Sequence, residues 1–129
     1  MFRILSVEDD NMMQKLLETV LVTAGYEFRL SPDGCGALPM ALAEKPDLIL
    51  LDVNLPDTNG IEVCRALKAD ARTRHIPVIM ITGEAREVAS RVKALDVGAD
   101  DYLFKPLSPR VLIARIASIL KQAVKPTQP

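Results

Sequence analysis

One run of residues constrains the fold of this chain more than any other. Leu48–Asp52 consists of four large apolar side chains followed at once by an aspartate. The run is too short for most helices and lacks polar alternation, so it predicts a strand buried on both faces. Asn54–Asp57 then breaks the strand, and Asn59-Gly60 indicates a turn before a helix. Because ligands bind at the carboxyl ends of strands in open α/β sheets, Asp52 is a candidate nucleophile, metal ligand or loop cap.

Further strands and helices alternate along the chain. The other predicted strands are Ile4–Val7, Glu27–Leu30, Ile76–Ile81 and Asp100–Phe104. Apolar side chains recur at helical spacing in Met12–Leu21, Leu38–Leu42, Gly60–Ala69, Val88–Leu95 and Leu112–Leu120. Five strand–helix units predict a flavodoxin-like (βα)5 doubly wound parallel sheet of order 2-1-3-4-5. The second strand alternates polar and apolar residues, which is typical of an edge strand.

Glycine and proline predict several helix boundaries. Gly25 stands just past the first helix, in the position where glycine commonly ends one. Pro39 fits a helix only in its first turn, so the second helix is expected to begin near Gly36 or to be kinked. Ser108-Pro109 predicts the N-cap and first residue of the last helix.

Size and composition exclude several classes of protein. The chain has 129 residues, enough for one core, and residues 1–124 are expected to form a single domain followed by a short tail or linker, 125–129. The net charge of −1 gives no electrostatic case for binding nucleic acid. The sequence shows no signal peptide or apolar membrane span, which favours the cytoplasm. Cys35 and Cys64 are expected to be free, buried thiols, and the lone His75 gives little support for a catalytic histidine.

Polar side chains follow four of the predicted strands, all at the same edge of the sheet. They are Glu8, Asp9, Asp52, Thr82 and Lys105. Carboxylates crowded together repel one another unless a cation shares the site, and oxygen ligands favour Mg²⁺. A nucleophilic carboxylate, a metal, a hydroxyl and an ammonium make a complete phosphoryl-transfer site.

Each of these residues also has a simpler interpretation. Asp9 and Asp10 are both positioned to cap the first helix, and Thr82 is a common residue at a strand end. Lysines such as Lys105 are mostly solvated, and Tyr102 fits an ordinary core position. Only the joint placement of the polar residues at one edge favours the functional interpretation.

The motifs together resemble those of the response-regulator receiver domain of bacterial two-component signalling, over roughly residues 3–122. The matching segments are Val7–Asp10, Leu51–Pro56, Asn59-Gly60, Ile81–Gly83, Gly98–Tyr102 and Lys105-Pro106. The resemblance implies that Asp52 is phosphorylated and that Lys105 pairs with the phosphoryl group. It also implies Mg²⁺ binding by Asp9, Asp52 and the backbone carbonyl of Asn54, with Glu8 acting through water. Thr82 and Tyr102 match the switch pair of the family, and Lys105-Pro106 is expected to be a cis peptide.

The resemblance implies a phosphorylation-activated signalling switch rather than a conventional enzyme: the domain catalyses only its own phosphorylation and dephosphorylation. The phosphoryl donor would be a histidine kinase or phosphotransfer protein. Phosphorylation would change the surface of the fourth helix, fifth strand and last helix, which controls a downstream partner or output domain. Val111 and Gln122 depart from residues that DNA-binding relatives use in dimerisation, so a monomer or weak dimer is expected. Asn54 and Glu84 are predicted to give rapid self-dephosphorylation.

Other classes fit less well. No glycine-rich loop follows the first strand, and Glu8–Asp10 would repel the pyrophosphate of a dinucleotide. The remaining alternative is a docking module that keeps the fold without being phosphorylated. The sequence does not identify the kinase, the pathway or the output, or decide between a stand-alone regulator and a piece of a longer protein.

Overall fold

The computed structural model describes residues 1–83 and 96–123. Its strands are β1 Arg3–Val7, β2 Glu27–Ser31, β3 Leu48–Asp52, β4 Val78–Thr82 and β5 Asp101–Phe104. Its helices are α1 Asn11–Thr23, α2 Ala37–Glu44, α3 Gly60–Ala69 and the C-terminal helix Pro109–Ala123. The predicted fourth helix, Glu84 and the tail 125–129 lie outside the described residues.

The five strands form one parallel sheet in the order β2-β1-β3-β4-β5, as the sequence predicted. β2 lies at an edge, in agreement with its alternating pattern. β3 lies at the centre of the sheet and is buried at all five positions. The long apolar run therefore takes the place where a strand is covered on both faces.

Alternate residues of β3 enter two separate apolar clusters, because successive side chains of a strand point to opposite faces. Ile49 and Leu51 belong to the cluster that includes residues of α2 and α3. Leu48 and Leu50 belong to the cluster that includes residues of α1 and the C-terminal helix. Helices thus cover both faces of the sheet, which leaves its carboxyl edge for polar side chains.

The predicted helix boundaries are confirmed. α2 begins at Ala37 after Gly36, so Pro39 lies in the first turn, where a missing N–H costs no helical hydrogen bond. Gly25 follows α1 with a φ of 95°, a left-handed conformation that glycine adopts without steric cost. The hydroxyl of Ser108 accepts a hydrogen bond from the Val111 N–H at 3.3 Å, in front of the C-terminal helix.

Two expectations are corrected. β4 begins at Val78 rather than Ile76, because Pro77 has no N–H to give to the ladder. Cys35 is exposed in the loop before α2, since that loop runs over the surface, whereas Cys64 is buried in α3; both thiols are free, as expected. Every helix within the described ranges is too short or too polar to span a membrane.

Candidate functional site

The parallel register brings the predicted site residues to one edge of the sheet. Val7 of β1 pairs with Leu51 of β3, so the next residues, Glu8 and Asp52, lie level with each other. Thr82 ends the neighbouring strand β4. These three polar residues are only 1 to 4% exposed, which is unusual for ionisable side chains in particular.

Asp52 is held by a cation and by its own loop. Its Oδ2 lies 3.2 Å from Lys105 Nζ, and its Oδ1 accepts a hydrogen bond from the Asn54 N–H at 3.0 Å. The same ammonium lies 3.5 Å from Glu8 Oε1. Lys105 directly follows β5, and the Lys105–Pro106 peptide is cis, as expected. Asp52 is therefore in part a loop cap, but its second oxygen faces a charged group from another strand.

The two aspartates that follow Glu8 have different roles in the structure. Asp10 is the N-cap of α1, and its Oδ2 accepts a hydrogen bond from the Met13 N–H at 2.9 Å. Asp9 instead joins Glu8 and Asp52 in a cluster whose carboxylate oxygens lie within 4.8 Å of one another. The helix-capping alternative thus applies to Asp10, while Asp9 lies at the candidate metal site.

The charges of this cluster are strongly coupled. Burial raises the pKa of Glu8 to about 7, and the neighbouring Asp52 carboxylate adds to the increase, while the Asp10 N–H and Lys105 oppose it. Burial lowers the pKa of Lys105, but the carboxylates of Asp52 and Glu8 more than offset this and leave it raised. The buried carboxylates of Glu8 and Asp52, together with the exposed Asp9, form an oxygen-rich site, and this donor set suits a hard divalent cation such as Mg²⁺.

The loop after Asp52 is closed at its base. Asn54 and Asn59 form an isolated antiparallel bridge, and the Asn59 side chain caps α3 by accepting from the Ile61 N–H at 2.7 Å. Gly60 packs against the end of β3: a Cβ at this position would lie 2.2 Å from the Asp52 carbonyl oxygen. Only glycine allows this approach, which explains the Asn59-Gly60 motif beside the site.

Asp57, at the tip of the same loop, has contacts that sequence analysis missed. Its carboxylate accepts hydrogen bonds from the Gly34 N–H at 2.9 Å and the Cys35 N–H at 2.8 Å. The sequence shows Asp57 only as part of a strand-breaking segment. Its partners lie 23 and 22 residues away, so no local pattern reveals the pairing.

Tyr102 lies on β5 and is buried, with its ring edge-on to Phe104 at a centroid distance of 5.4 Å. It belongs to the apolar cluster on the α3 side of the sheet. Near this strand, Arg115 of the C-terminal helix donates to Asp101 Oδ2 at 2.5 Å. Arg91 and Lys93, in the predicted fourth helix, lie outside the described residues.

The family is decided by comparison with known sequences. A family model described as response regulator receiver domain matches residues 4–117. The chain belongs to this family. Receiver domains are signalling domains that interact with histidine kinases and output domains, and the family binds Mg²⁺ at an acidic pocket.

Curated relatives include the phosphate regulon transcriptional regulatory protein PhoB of Pseudomonas aeruginosa, 43% identical over 92% of this chain and 52% of that protein. The response regulator PleD of Caulobacter vibrioides is 44% identical over 92% of this chain and 26% of that protein. This receiver domain therefore spans about half or less of the length of these relatives.

Solved structures have the same fold. A CheY-like response regulator receiver domain protein from Methanospirillum hungatei matches with a TM-score of 0.90 and 31% identity, over 97% of this chain and 98% of that one. The BeF3-activated N-terminal receiver domain of Klebsiella pneumoniae RstA matches with a TM-score of 0.85 and 32% identity, over 93% and 99%. The predicted flavodoxin-like fold is thus confirmed both by the strand order and by its solved relatives.

Proposed function

We propose that this receiver domain is a phosphorylation-activated switch in which Asp52 accepts a phosphoryl group from a histidine kinase or phosphotransfer protein. One observation carries the proposal: the buried Asp52 carboxylate lies 3.2 Å from the Lys105 ammonium and beside the Glu8–Asp9 acidic pair. A carboxylate held at a sheet edge between a cation and an oxygen-rich metal site has the parts that phosphoryl transfer requires.

In the transfer step a carboxylate oxygen of Asp52 attacks phosphorus and forms a new P–O bond. The bond from phosphorus to its donor breaks: a P–N bond when the donor is phosphohistidine, and a P–O bond when it is acetyl phosphate. The electron pair leaves with imidazole or acetate, respectively. Lys105 offsets the negative charge on the phosphoryl oxygens, and the Thr82 hydroxyl donates a hydrogen bond to one of them.

The residues that would hold Mg²⁺ are Asp9, Asp52 and the backbone carbonyl of Asn54, with Glu8 acting through water. The cluster of three carboxylates within 4.8 Å and the raised pKa of Glu8 support this assignment. Bound there, Mg²⁺ would neutralise charge on the phosphoryl oxygens. Because the carboxylates repel one another, a divalent cation also favours their ionised forms.

Output requires a two-state element, because the phosphorylated group is buried. Thr82 and Tyr102 form the switch pair in this proposal, which the burial of both residues supports. A move of Thr82 toward the phosphoryl group lets the Tyr102 ring repack, which alters the surface around β5 and the C-terminal helix. That surface then binds a downstream partner or an output domain, and self-association through it is weak or absent.

Intact-mass measurement after incubation with acetyl phosphate and Mg²⁺ tests the proposal. We expect the wild-type domain to gain one phosphoryl mass, and Asp52→Asn to gain none. Chelation of the divalent cation is expected to abolish the gain.

Asp10→Asn is the matched control, because it removes a carboxylate two residues from Glu8 while asparagine caps a helix as well as aspartate. It is expected to retain the phosphoryl gain. A gain that persists in Asp52→Asn would assign the acceptor to another residue. A wild-type protein that gains no mass from acetyl phosphate or from a kinase would favour a docking module without phosphorylation.

A further inference from the structure

A carboxylate at the tip of the loop after Asp52 joins this loop to a second one. Asp57 Oδ1 accepts from the Gly34 N–H at 2.9 Å, and Asp57 Oδ2 accepts from the Cys35 N–H at 2.8 Å. Both donors belong to the segment between β2 and α2. Hydrogen bonds to an ionised acceptor are roughly twice as strong as neutral ones, so this pair of contacts is a firm link between the two loops.

The tip of the loop is close in sequence to Asp52 and Asn54, where the loop begins. The Asn54 N–H donates to Asp52 Oδ1 at 3.0 Å, and Asn54 pairs with Asn59 across the loop. The Gly60 N–H donates to the Val53 carbonyl at 2.7 Å and closes the same turn. Asp57 therefore lies in the same closed turn as Asn54, whose N–H contacts the Asp52 carboxylate.

The second loop is itself anchored to the acidic cluster. The Glu8 N–H donates to the Ser31 carbonyl at 3.0 Å. The Ser31 hydroxyl donates to the Asp33 backbone carbonyl at 2.8 Å, so this step of the connection does not use the Asp33 carboxylate. Asp57 thus connects the loop that carries Asn54 to a segment whose other end is bonded to the backbone of Glu8.

The two loops are also in close contact. A Cβ added at Gly34 would lie 2.3 Å from Thr58 Cγ2 and 3.3 Å from Asp57 Oδ1. Since a distance below 3.0 Å requires movement, a larger residue at Gly34 would displace the Thr58 side chain at the contact between the two loops.

We propose that Asp57 is a positioning residue for the phosphorylation site: it fixes the Asn54–Asn59 loop against the β2–α2 loop and thereby aligns Asp52 and the Asn54 carbonyl with Glu8. This inference rests on the proposed function of Asp52. It assigns to an exposed carboxylate outside the acidic cluster an effect on metal binding and phosphoryl transfer. The Gly34 N–H is also the main cause of the lowered pKa of Asp57, so the link stays charged at neutral pH.

The first experiment tests the link in the metal-free protein. Asp57→Asn is compared with Asp33→Asn, which also removes one negative charge; the hydrogen bond that the Asp33 carboxylate accepts, from the Gly36 N–H, lies within the second loop. We expect Asp57→Asn alone to reduce the hydrogen-exchange protection of the Gly34 and Cys35 amides by about fivefold or more. Unchanged protection would overturn the proposal at its first step.

The Cys35 thiol gives a second readout that a general loss of stability does not reproduce. A side-chain hydrogen bond to Asp57 and the charge of Asp57 raise the pKa of this exposed thiol. Asp57→Asn is therefore expected to speed alkylation of Cys35 by iodoacetamide at pH 8, by about twofold or more. Burial raises the pKa of Cys64 to about 11, so this second thiol does not compete for the reagent.

The second experiment measures function. We expect Asp57→Asn to weaken Mg²⁺ binding and to slow phosphorylation by acetyl phosphate by about tenfold each, because small misplacements of reacting groups are costly. Asp33→Asn is expected to stay within about twofold of the wild type. Equal effects of the two variants would reject a positioning role for Asp57.

A variant in the β2–α2 loop tests the contact between the two loops without changing Asp57. Gly34→Ala is expected to reproduce the loss in Mg²⁺ affinity, and the double variant Gly34→Ala, Thr58→Ser is expected to restore much of it. Serine lacks the methyl group that the new Cβ would meet at 2.3 Å, whereas the contact with Val63 Cγ2 at 3.0 Å remains, so the rescue is expected to be partial. Failure of the rescue, with both variants folded, would contradict the proposed contact.

The outcomes separate this inference from the proposed function. If the wild-type domain is never phosphorylated, the proposed function fails, while the amide and thiol measurements still report on the loop link. If the wild type is phosphorylated but Asp57→Asn matches it in Mg²⁺ affinity and rate, only the positioning role is wrong.

Discussion

The first four residues of β3 and its fifth are equally buried but chemically opposite. Leu48–Leu51 are at most 1% exposed, and Asp52 is 4% exposed. Burying a leucine or isoleucine side chain stabilises a fold by about 1.5–3 kcal/mol. Burying a carboxylate costs free energy unless partners compensate it. The strand therefore builds the core along most of its length and ends in a carboxylate whose burial lowers stability unless its partners compensate it.

The same contrast holds across the sheet. Its interior joins two apolar clusters, whereas its carboxyl edge collects Glu8, Asp52 and Thr82 with Lys105 as the shared cation. Substitutions in the interior are expected to reduce stability. Substitutions at the edge are expected to change charge balance and phosphorylation, with smaller effects on stability.

The largest effect on stability is expected in the interior. Leu50→Ala removes a side chain that is 1% exposed, and we expect it to lower the free energy of unfolding by about 2–5 kcal/mol. Urea denaturation followed by circular dichroism measures the change. A loss below about 1 kcal/mol would mean that the centre of β3 is less tightly packed than the structure indicates.

The stability of the folded protein is expected to depend on pH because of Glu8, at the carboxyl edge of the sheet. Burial raises the pKa of Glu8 to about 7 in the folded protein, above its ordinary value of 4.5. Unfolding between these values releases a proton, so stability falls as pH rises through this window, by at most about 3 kcal/mol. Denaturation of the metal-free protein at several pH values checks this, with Glu8→Gln as the comparison. If the stabilities of the wild type and Glu8→Gln changed with pH in the same way, Glu8 would not be the source of the dependence.

Removal of the Lys105 ammonium is expected to lower the free energy of unfolding by a smaller amount. Lys105→Met leaves Asp52 and Glu8 without their ammonium, and we expect a loss of about 1–2 kcal/mol at pH 7, because Lys105 is partly exposed to water. It is also expected to raise the pKa of Glu8 further. Lys15→Met, on the exposed side of α1, serves as the control and is expected to change little. Equal losses in the two variants would argue against the Lys105 contacts.

The smallest effect on stability is expected at Asp9. Asp9→Asn relieves like-charge repulsion, so the metal-free protein is expected to be slightly more stable than the wild type, while Mg²⁺ binding weakens. Asp10→Asn is expected to leave both properties nearly unchanged. Isothermal titration with Mg²⁺ and thermal denaturation compare the two. Unchanged Mg²⁺ affinity in Asp9→Asn would remove Asp9 from the proposed metal site.

The fold could be predicted from the sequence because each strand and helix carries a strong local signal. The apolar run of β3 and the alternation in β2 each have one main physical interpretation, and the structure agrees with both. Pro39 allowed two, a late helix start or a kink, and the structure shows the late start. The polar residues at strand ends indicated the candidate site for the same reason: parallel strands present their carboxyl ends at one edge.

Details that depend on distant contacts could not be predicted. The sequence does not decide which of two adjacent aspartates caps α1; the geometry of the helix start assigns this role to Asp10. The Val78 N–H at the start of β4 is satisfied by Asp100, which lies 22 residues away. The link from Asp57 to Gly34 and Cys35 is of the same kind, because its partners lie 23 and 22 residues away in the sequence.

The central claim is that the polar end of β3 is built for phosphorylation at Asp52. Borohydride reduction of the phosphorylated protein tests it most directly, because hydride converts an aspartyl phosphate to homoserine with loss of phosphate. Peptide mapping by tandem mass spectrometry then locates the modified residue. We predict homoserine at position 52 and at no other carboxylate of the edge. Homoserine at Asp9, Asp10 or Asp57, or 5-hydroxynorvaline at Glu8, in place of homoserine at position 52 would contradict the account. So would the absence of any reduced residue in a protein that has gained a phosphoryl mass.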